Sequence, residues 1–436
     1  MTNEELLFGR QLLSFQLPLP LPKNYLSWPA MVIQNKTVIC KRCNSFWNKT
    51  VVKMPDGNFY CPNCISLGRV TSDELLYHLP EGNYFEKNRD YLHLLNPLTS
   101  AQLEISEKIT DIIVRQSAIL LWAVTGAGKT EMMFLSLNYA FKLGMRVCWA
   151  APRVDVILEL APRLKKAFPD LPFSVLYGQM EEPYSYRQFV LCTTHQLLRF
   201  FHAFDVLIID EVDSFPYVNN LELNFAAKQA VKPHSSQIYL SATPPDDLLQ
   251  ELPILYLAKR FHGHPLPVPQ VVYVGNWRKA LQKKRLVHQI KRELKRGLSH
   301  HERYLIFVSE IKLLNILGAA FQKAFPLIKW TSVHAQDPQR KQKIMDFRQK
   351  NYDVLFTTTI LERGVTIKKI NVIVIGAESP IFNWATLVQI AGRAGRDSKY
   401  FADRVIFYYS FYTSAIKKAV NQIKQLNQKA GFNESM

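Results

Sequence analysis

Between an apolar run, Ala118-Ile-Leu-Leu-Trp122, and an amphipathic stretch that opens at Glu131 lies Ala123-Val-Thr125-Gly126-Ala127-Gly128-Lys129-Thr130. Few eight-residue strings restrict a fold as strongly. A buried strand, a glycine-bearing loop and a helix in that order form the first unit of a parallel α/β sheet, because parallel strands need crossover connections. Gly126 and Gly128 let the backbone close around an anion, and the N–H groups at the start of the helix point at it. The string predicts a phosphate loop in which Thr125, Gly126, Ala127, Gly128, Lys129 and Thr130 hold ATP. Lys129 would reach the β- and γ-phosphates, and the Thr130 hydroxyl would hold Mg²⁺. One position departs from the G-x-x-x-x-G-K-T pattern: Ala123 stands where the first glycine belongs.

After the loop, apolar runs alternate with amphipathic segments in the βαβ rhythm of a parallel sheet. The apolar runs end in Ala151-Pro-Arg153, Thr193-Thr-His-Gln196, Asp210-Glu-Val-Asp213 and Ser241-Ala-Thr243. Ligands of open α/β sheets bind at the carboxyl ends of strands, so these residues converge on one edge. Asp210 and Glu211 follow Phe204-Asp-Val-Leu-Ile-Ile. One carboxylate can hold Mg²⁺ through its waters and the other can orient and deprotonate the attacking water. Asp210 is assigned to the metal and Glu211 to the base, against the plainer reading of two surface acids. Upstream, Gln102 lies near a helix start, where its amide offers a donor and an acceptor to an adenine edge. An exposed helix-start glutamine is the alternative.

Two C-x-x-C pairs, Cys40/Cys43 and Cys61/Cys64, are separated by 17 residues. Pairs on tight turns bring four thiolates into a tetrahedron, so structural Zn²⁺ is expected, with no position left for a catalytic water. Thr50-Val-Val-Lys and Asn58-Phe-Tyr60 read as short strands between the pairs. Cys148 and Cys192 lie in predicted strands and read as small buried hydrophobes.

The net charge of +18 is one-sided. Residues 1–265 carry 25 Lys+Arg and 25 Asp+Glu, whereas residues 266–436 carry 29 against 11. Such a surplus points to a polyanion, with nucleic acid ahead of an anionic membrane surface or a merely solubilising face. The turning point coincides with the Pro-rich segment Phe261 to Pro269. Beyond it, Arg278 to Arg296 reads as one basic amphipathic helix, followed by a second set of alternating strands and helices. This second lobe has no phosphate loop, but it contains Gln389-Ile-Ala-Gly-Arg393-Ala-Gly-Arg396. Two arginines three apart on a helix turn can face one way and stabilise charge developing on a transferred phosphoryl group. The acidic start, prolines 18, 20 and 22, and the lack of a long apolar stretch predict a cytoplasmic protein without a membrane span. The expected division is an N-terminal segment over 1–35, a zinc module over 36–70, a linker or short helix over 71–95, an ATP-binding lobe over 96–265 and a basic lobe over 266–436.

These motifs in this order resemble superfamily 2 helicases and translocases, which pair two RecA-like lobes around ATP. The resemblance covers residues 95–425. It is carried by Ala123–Thr130, Pro152-Arg153, Asp210–Asp213, Ser241–Thr243, Thr357-Thr-Thr-Ile-Leu-Glu-Arg-Gly364-Val and Gln389–Arg396. It implies that Gln389 helps position the water, that Arg393 and Arg396 reach the nucleotide from the second lobe, and that Arg153, Thr194, Thr358 and Gly364 contact a nucleic-acid backbone. The four-cysteine module, the string Asp210-Glu-Val-Asp-Ser-Phe-Pro216 and the compact length are similar to the ATPases of DNA uptake in natural transformation. That likeness implies single-stranded DNA as the track, with a membrane uptake channel and other competence proteins as partners. It also implies a peripheral place at the inner face of the cell membrane. Primosomal helicases share the motifs but are longer and carry their cysteines in the second lobe. A duplex-unwinding or RNA-directed helicase is therefore the alternative, and a zinc-dependent clamp with ATP as a switch is a third reading.

Overall fold

Asn48 decides the first local structure that the sequence pattern leaves open. Its side-chain oxygen accepts from the N–H of Thr50 at 3.0 Å, which caps a helical turn over Lys49–Val52. That turn replaces the strand expected there, because a cap outweighs the weak β preference of two valines. Asn58–Tyr60 makes only isolated bridges, Lys53 to Phe59 and Tyr60 to Thr71.

The computed structural model describes residues 2–94, 96–178, 183–363, 367–397 and 403–432. Five short strands come first: β1 (Leu26–Pro29), β2 (Met31–Ile33), β3 (Thr37–Cys40), β4 (Phe46–Asn48) and β5 (Leu75–His78). β2, β3 and β4 form an antiparallel sheet that ends in Cys40, and β1 pairs antiparallel with β5. The expected linker or helix over 71–95 thus contains a strand. It pairs because Leu76 and His78 are buried at alternate positions, the period of a half-covered strand.

The chain divides into two compact units, Met1–Trp122 with Lys129–Tyr256, and Leu257–Met436 with Ala123–Gly128. The loop segment Ala123–Gly128 thus groups with the second unit. The first sheet holds β6 (Ala118–Ala123), β7 (Val147–Ala151), β8 (Phe173–Leu176), β9 (Phe189–Thr193), β10 (Phe204–Asp210), β11 (Val231–Ser241) and β12 (Ile254–Leu257). Their spatial order is β12-β6-β11-β10-β7-β9-β8. β6, β11, β10, β7, β9 and β8 pair in parallel. Every residue of β7 and β9 is buried, as parallel strands covered on both faces require.

The second sheet holds β13 (Gln270–Tyr273), β14 (Tyr304–Phe307), β15 (Trp330–Val333), β16 (Val354–Thr357), β17 (Asn371–Ile375) and β18 (Val405–Tyr409). Its order is β13-β18-β17-β14-β16-β15, with every pair parallel. Two parallel α/β sheets, the RecA-like lobes, are therefore present as the rhythm of the sequence implies. The basic helix expected over Arg278 to Arg296 is two helices, Trp277–Gln282 and His288–Ser299. Asn276 caps the first by accepting from the N–H of Lys279, and Lys284 turns the chain at a φ of 52°.

The N-terminal segment is stitched to the first sheet by polar groups. Gln11, fully buried, donates to the carbonyl of Leu198 and to the side chain of Gln229. Arg146 and Glu81, both without side-chain exposure, form an ion pair at 2.5 Å. Arg146 also donates to the Tyr184 hydroxyl at 2.7 Å and to the carbonyl of Phe8 at 3.0 Å. Such a pair is tolerated in a low-dielectric interior because further hydrogen bonds satisfy the guanidinium.

Candidate nucleotide site and metal centre

The phosphate loop begins at the carboxyl end of β6. Gly126 and Gly128 have φ values of 83° and 79°, a region where a side chain would strain the backbone. The helix Lys129–Lys142 starts directly after them and buries the Thr130 side chain in its first turn. The loop's shape thus follows from two positive-φ glycines and a helix start, the arrangement that receives an anion.

β10 delivers Asp210 and Glu211 at its carboxyl end. Asp210 is buried and accepts from the N–H of Glu211 at 2.9 Å. Burial pushes its carboxyl up to about 6, with the charge of Lys129 opposing that rise and Glu211 adding to it. A buried carboxylate that feels the charge of a lysine is the kind of oxygen donor that a hard divalent cation uses. Glu211 itself has a φ of 53°, uncommon for a residue with a Cβ and of a kind concentrated at functional sites. Two residues on, Asp213 accepts 2.6 Å hydrogen bonds from Ser241 Oγ and Thr243 Oγ1. The acidic string and the end of β11 are therefore one hydrogen-bonded group.

Gln102 lies inside the helix Ser100–Val114, at its third residue, and its side-chain oxygen accepts from the Thr99 N–H at 3.0 Å. This is a reciprocal capping box, because Thr99 Oγ1 accepts in return from the Gln102 N–H. Arg153 immediately precedes the helix Val154–Ala167, and its guanidinium lies 3.7 Å from Asp155. Thr194 follows β9 directly and is fully buried, so its side chain reaches no surface. In the second unit Thr358 is half-buried after β16, while Gly364 lies outside the described residues. Gln389 is buried on the helix Trp384–Ala391.

The two arginines are not on that helix. It ends at Ala391, Gly392 closes it, and Gly395 turns the chain at a φ of 62°. Glycines at 392 and 395 are poor helix formers, which is why the expected helical spacing of the arginines is lost. Arg393 donates from Nε to the carbonyl of Glu362 at 2.8 Å, and Arg396 to that of Gly392 at 2.9 Å. Within the same unit, a Cβ added to Gly392 would meet Thr125 Oγ1 at 1.9 Å, so only glycine fits there.

The four cysteines of the amino-terminal module come together. Cys40 ends β3, Cys43 follows in a turn, and Cys61 and Cys64 flank the start of the 3₁₀ helix Pro62–Leu67. All four are buried and unbonded to one another, and their sulfurs lie within 4.8 Å of each other. Cys40 to Cys64 is 3.8 Å and Cys43 to Cys61 is 3.5 Å. Tetrahedral Zn²⁺ with bonds of about 2.3 Å sets sulfurs about 3.8 Å apart, so the donor set fits zinc. A feature that the spacing alone does not show is Arg42, fully buried, with Nε 3.4 Å from Cys64 Sγ. Ser45 Oγ adds contacts to Cys43 Sγ and Cys61 Sγ at 3.0 and 3.3 Å.

Two parallel-sheet lobes, a phosphate loop and a strand-end Asp-Glu pair define an ATP-hydrolysing superfamily 2 helicase-like enzyme. Residues 96–246 match the family described as type III restriction enzyme, res subunit, and residues 282–398 match the helicase conserved C-terminal domain. Such helicase domains imply ATP and Mg²⁺. The solved structure of S. cerevisiae Dbp5 bound to RNA and ADP BeF3 is similar in fold. Its TM-score is 0.53 at 16% identity, over 77% of this chain and 93% of that one. Competence protein ComFA of Bacillus subtilis is 39% identical over 412 residues, 91% of this chain and 87% of the relative. ComFA of Streptococcus pneumoniae is 38% identical, over 93% and 94% of the two chains. The chain belongs to the competence protein ComFA family of helicase-like, DNA-binding ATPases. No helix of the described residues is long and apolar enough to cross a membrane.

Proposed function

We propose that this protein is an ATP-driven translocase that moves along single-stranded DNA and draws transforming DNA into the cytoplasm during natural competence. The observation that carries the motor reading is the carboxylate pair at the carboxyl end of β10, buried Asp210 followed by Glu211 in a left-handed backbone conformation. A pure binding module needs no general base and no charge-stabilising arginines, and Glu211, Arg393 and Arg396 are all present. Lys129 and the loop residues from Thr125 to Thr130 hold the phosphates, and Gln102 reads adenine. Thr130 and Asp210 would hold Mg²⁺, which neutralises charge on the phosphates when bound. Glu211 accepts the proton of the attacking water, Gln389 helps to orient that water, and Arg393 and Arg396 stabilise the charge on the transferred group.

The basic balance of residues 266–436 supports a polyanionic track, and Arg153, Thr358 and Gly364 are the proposed backbone contacts, the fully buried Thr194 being out of reach of such a track. Contacts of that kind ignore base identity, so affinity should be independent of sequence and weakened by salt. The protein acts in the cytoplasm at the inner face of the membrane, beside an uptake channel and other competence proteins. Kinship with the ComFA relatives supports that setting, and Cys40, Cys43, Cys61 and Cys64 would hold a structural Zn²⁺.

The test is the ATPase rate of the purified protein alone and with single-stranded DNA, duplex DNA or RNA, each at low and high salt. Stimulation by single-stranded DNA only, reduced by salt, is expected. Stimulation by RNA or forked duplex would replace the import motor with a duplex-unwinding or RNA-directed helicase. An unchanged rate with every nucleic acid would leave a clamp with ATP as a switch.

A further inference from the structure

Arg260 belongs to no helicase motif and falls in the stretch that the sequence marks only as a boundary. It follows β12 by three residues and is 2% exposed. One nitrogen, Nη2, donates to the carbonyl of Ala394 at 3.0 Å. Nε and Nη1 have no hydrogen-bond partner among the described residues. The group lies against the phosphate loop, within the same unit. A Cβ added at Gly126 would lie 3.0 Å from Arg260 Nε and 3.3 Å from Nη2. The next residue fastens this approach, because the Phe261 N–H donates to the Gly126 carbonyl at 3.1 Å.

A buried guanidinium with two donors unused is costly, since charges inside proteins are ordinarily paired or bound to a ligand. Burial lowers Arg260 to about 10, while the charge of Asp403 works in the other direction. What the position lacks is an anion with several acceptor oxygens, and a phosphate loop is the place where one arrives. The planar fork of arginine matches phosphate oxygens in pairs. A side chain at Gly126 would separate the fork from the loop.

We propose that Arg260 is a nucleotide-contacting residue whose guanidinium takes the polyphosphate of ATP at Gly126, in addition to Lys129. The proposal rests on the reading of residues 123–130 as the ATP loop. It predicts a division between stability and binding that a structural clamp does not. Without nucleotide, Arg260→Gln removes an under-satisfied buried charge, so the melting temperature is unchanged or higher. With nucleotide, the variant loses charge-assisted hydrogen bonds, and ATP affinity falls about ten- to a hundredfold. Arg260→Lys keeps the charge without the fork and loses less.

The experiment titrates MgATP into the full-length parent, R260Q and R260K by calorimetry, and melts each with and without MgATP. Weaker MgATP binding by R260Q with an undiminished nucleotide-free melting temperature supports the assignment. Parent-like affinity together with a lowered melting temperature makes Arg260 a structural clamp and overturns it. If R260Q does not fold, R260K decides: weaker MgATP binding than the parent supports the role, and equal binding overturns it. A parent that neither binds MgATP nor is stabilised by it overturns the ATP-loop reading and this proposal together. Failure of Arg260 alone leaves the parent's response intact.

Discussion

Arg42 aims its Nε at Cys64 Sγ from 3.4 Å, and its Nη2 donates to the carbonyls of Cys64 and Gly68 at 2.9 and 2.6 Å. A buried cation there fixes the turn that carries Cys64, and it would offset the negative charge of four thiolates when Zn²⁺ is bound. Partners of this kind typically change metal affinity by about ten- to a hundredfold. Arg42→Gln is therefore expected to bind zinc at least about tenfold more weakly in chelator competition. Cys40→Ser, by removing a ligand, should empty the site. Zinc retention equal to the parent's in R42Q would reduce Arg42 to a packing role.

Asp213 accepts from Ser241 and Thr243 at 2.6 Å each, and both donors are buried. Thr243→Ala and Ser241→Ala should each cost about 1–3 kcal/mol in urea unfolding. The double variant should depart from the sum, because both bonds end on one carboxylate. Strict additivity would mean that the two bonds do not share their energy.

Lys129 opens the helix that follows the phosphate loop, and its charge opposes the rise of Asp210. Lys129→Ala should abolish ATP hydrolysis and leave the salt-sensitive binding of single-stranded DNA unchanged. A phosphate-release assay and a filter-binding titration on the same preparation check the two halves. Turnover equal to the parent's would remove Lys129 from the site.

His262 gives the pH dependence a sign. Burial lowers it to about 4, helped by the charges of Arg260 and His264, while a backbone contact at Gly395 works the other way. Its ordinary value is 6.5, so between the two values the unfolded chain holds the proton and the folded chain does not. Its contribution is therefore fully present above about 6.5 and is lost as pH falls toward about 4. Asp403, pushed up to about 6 by burial, acts with the opposite sign in much the same window. The difference between parent and His262→Gln isolates the histidine: the variant's melting temperature should fall less on acidification. Identical slopes would contradict the assigned shift.

Several features of this protein were legible in its sequence because their chemistry requires particular residues at short spacing. A phosphate loop needs its glycines, Lys129 and Thr130 within eight positions, and a thiolate tetrahedron needs its cysteines in close pairs. Asp210 and Glu211 must end a buried strand. Alternation of apolar and amphipathic runs likewise announced two parallel sheets, because burial on both faces leaves an uninterrupted hydrophobic signature. The break of the basic helix at Lys283 to Val287 was not legible, since it depends on where caps form rather than on periodicity.

Tertiary structure alone decided which distant groups share a low-dielectric interior. Glu81 and Arg146 are 65 positions apart, and Arg260 and Gly126 still farther. Nothing local in either stretch marks a partner. Arg42 reads in the sequence as one more basic residue beside a cysteine, yet it is fully buried against the sulfur cluster. Local spacing records what a loop or a strand end must contain. The cost of burying a charge is set by everything that folds around it, and only the assembled lobe determines that.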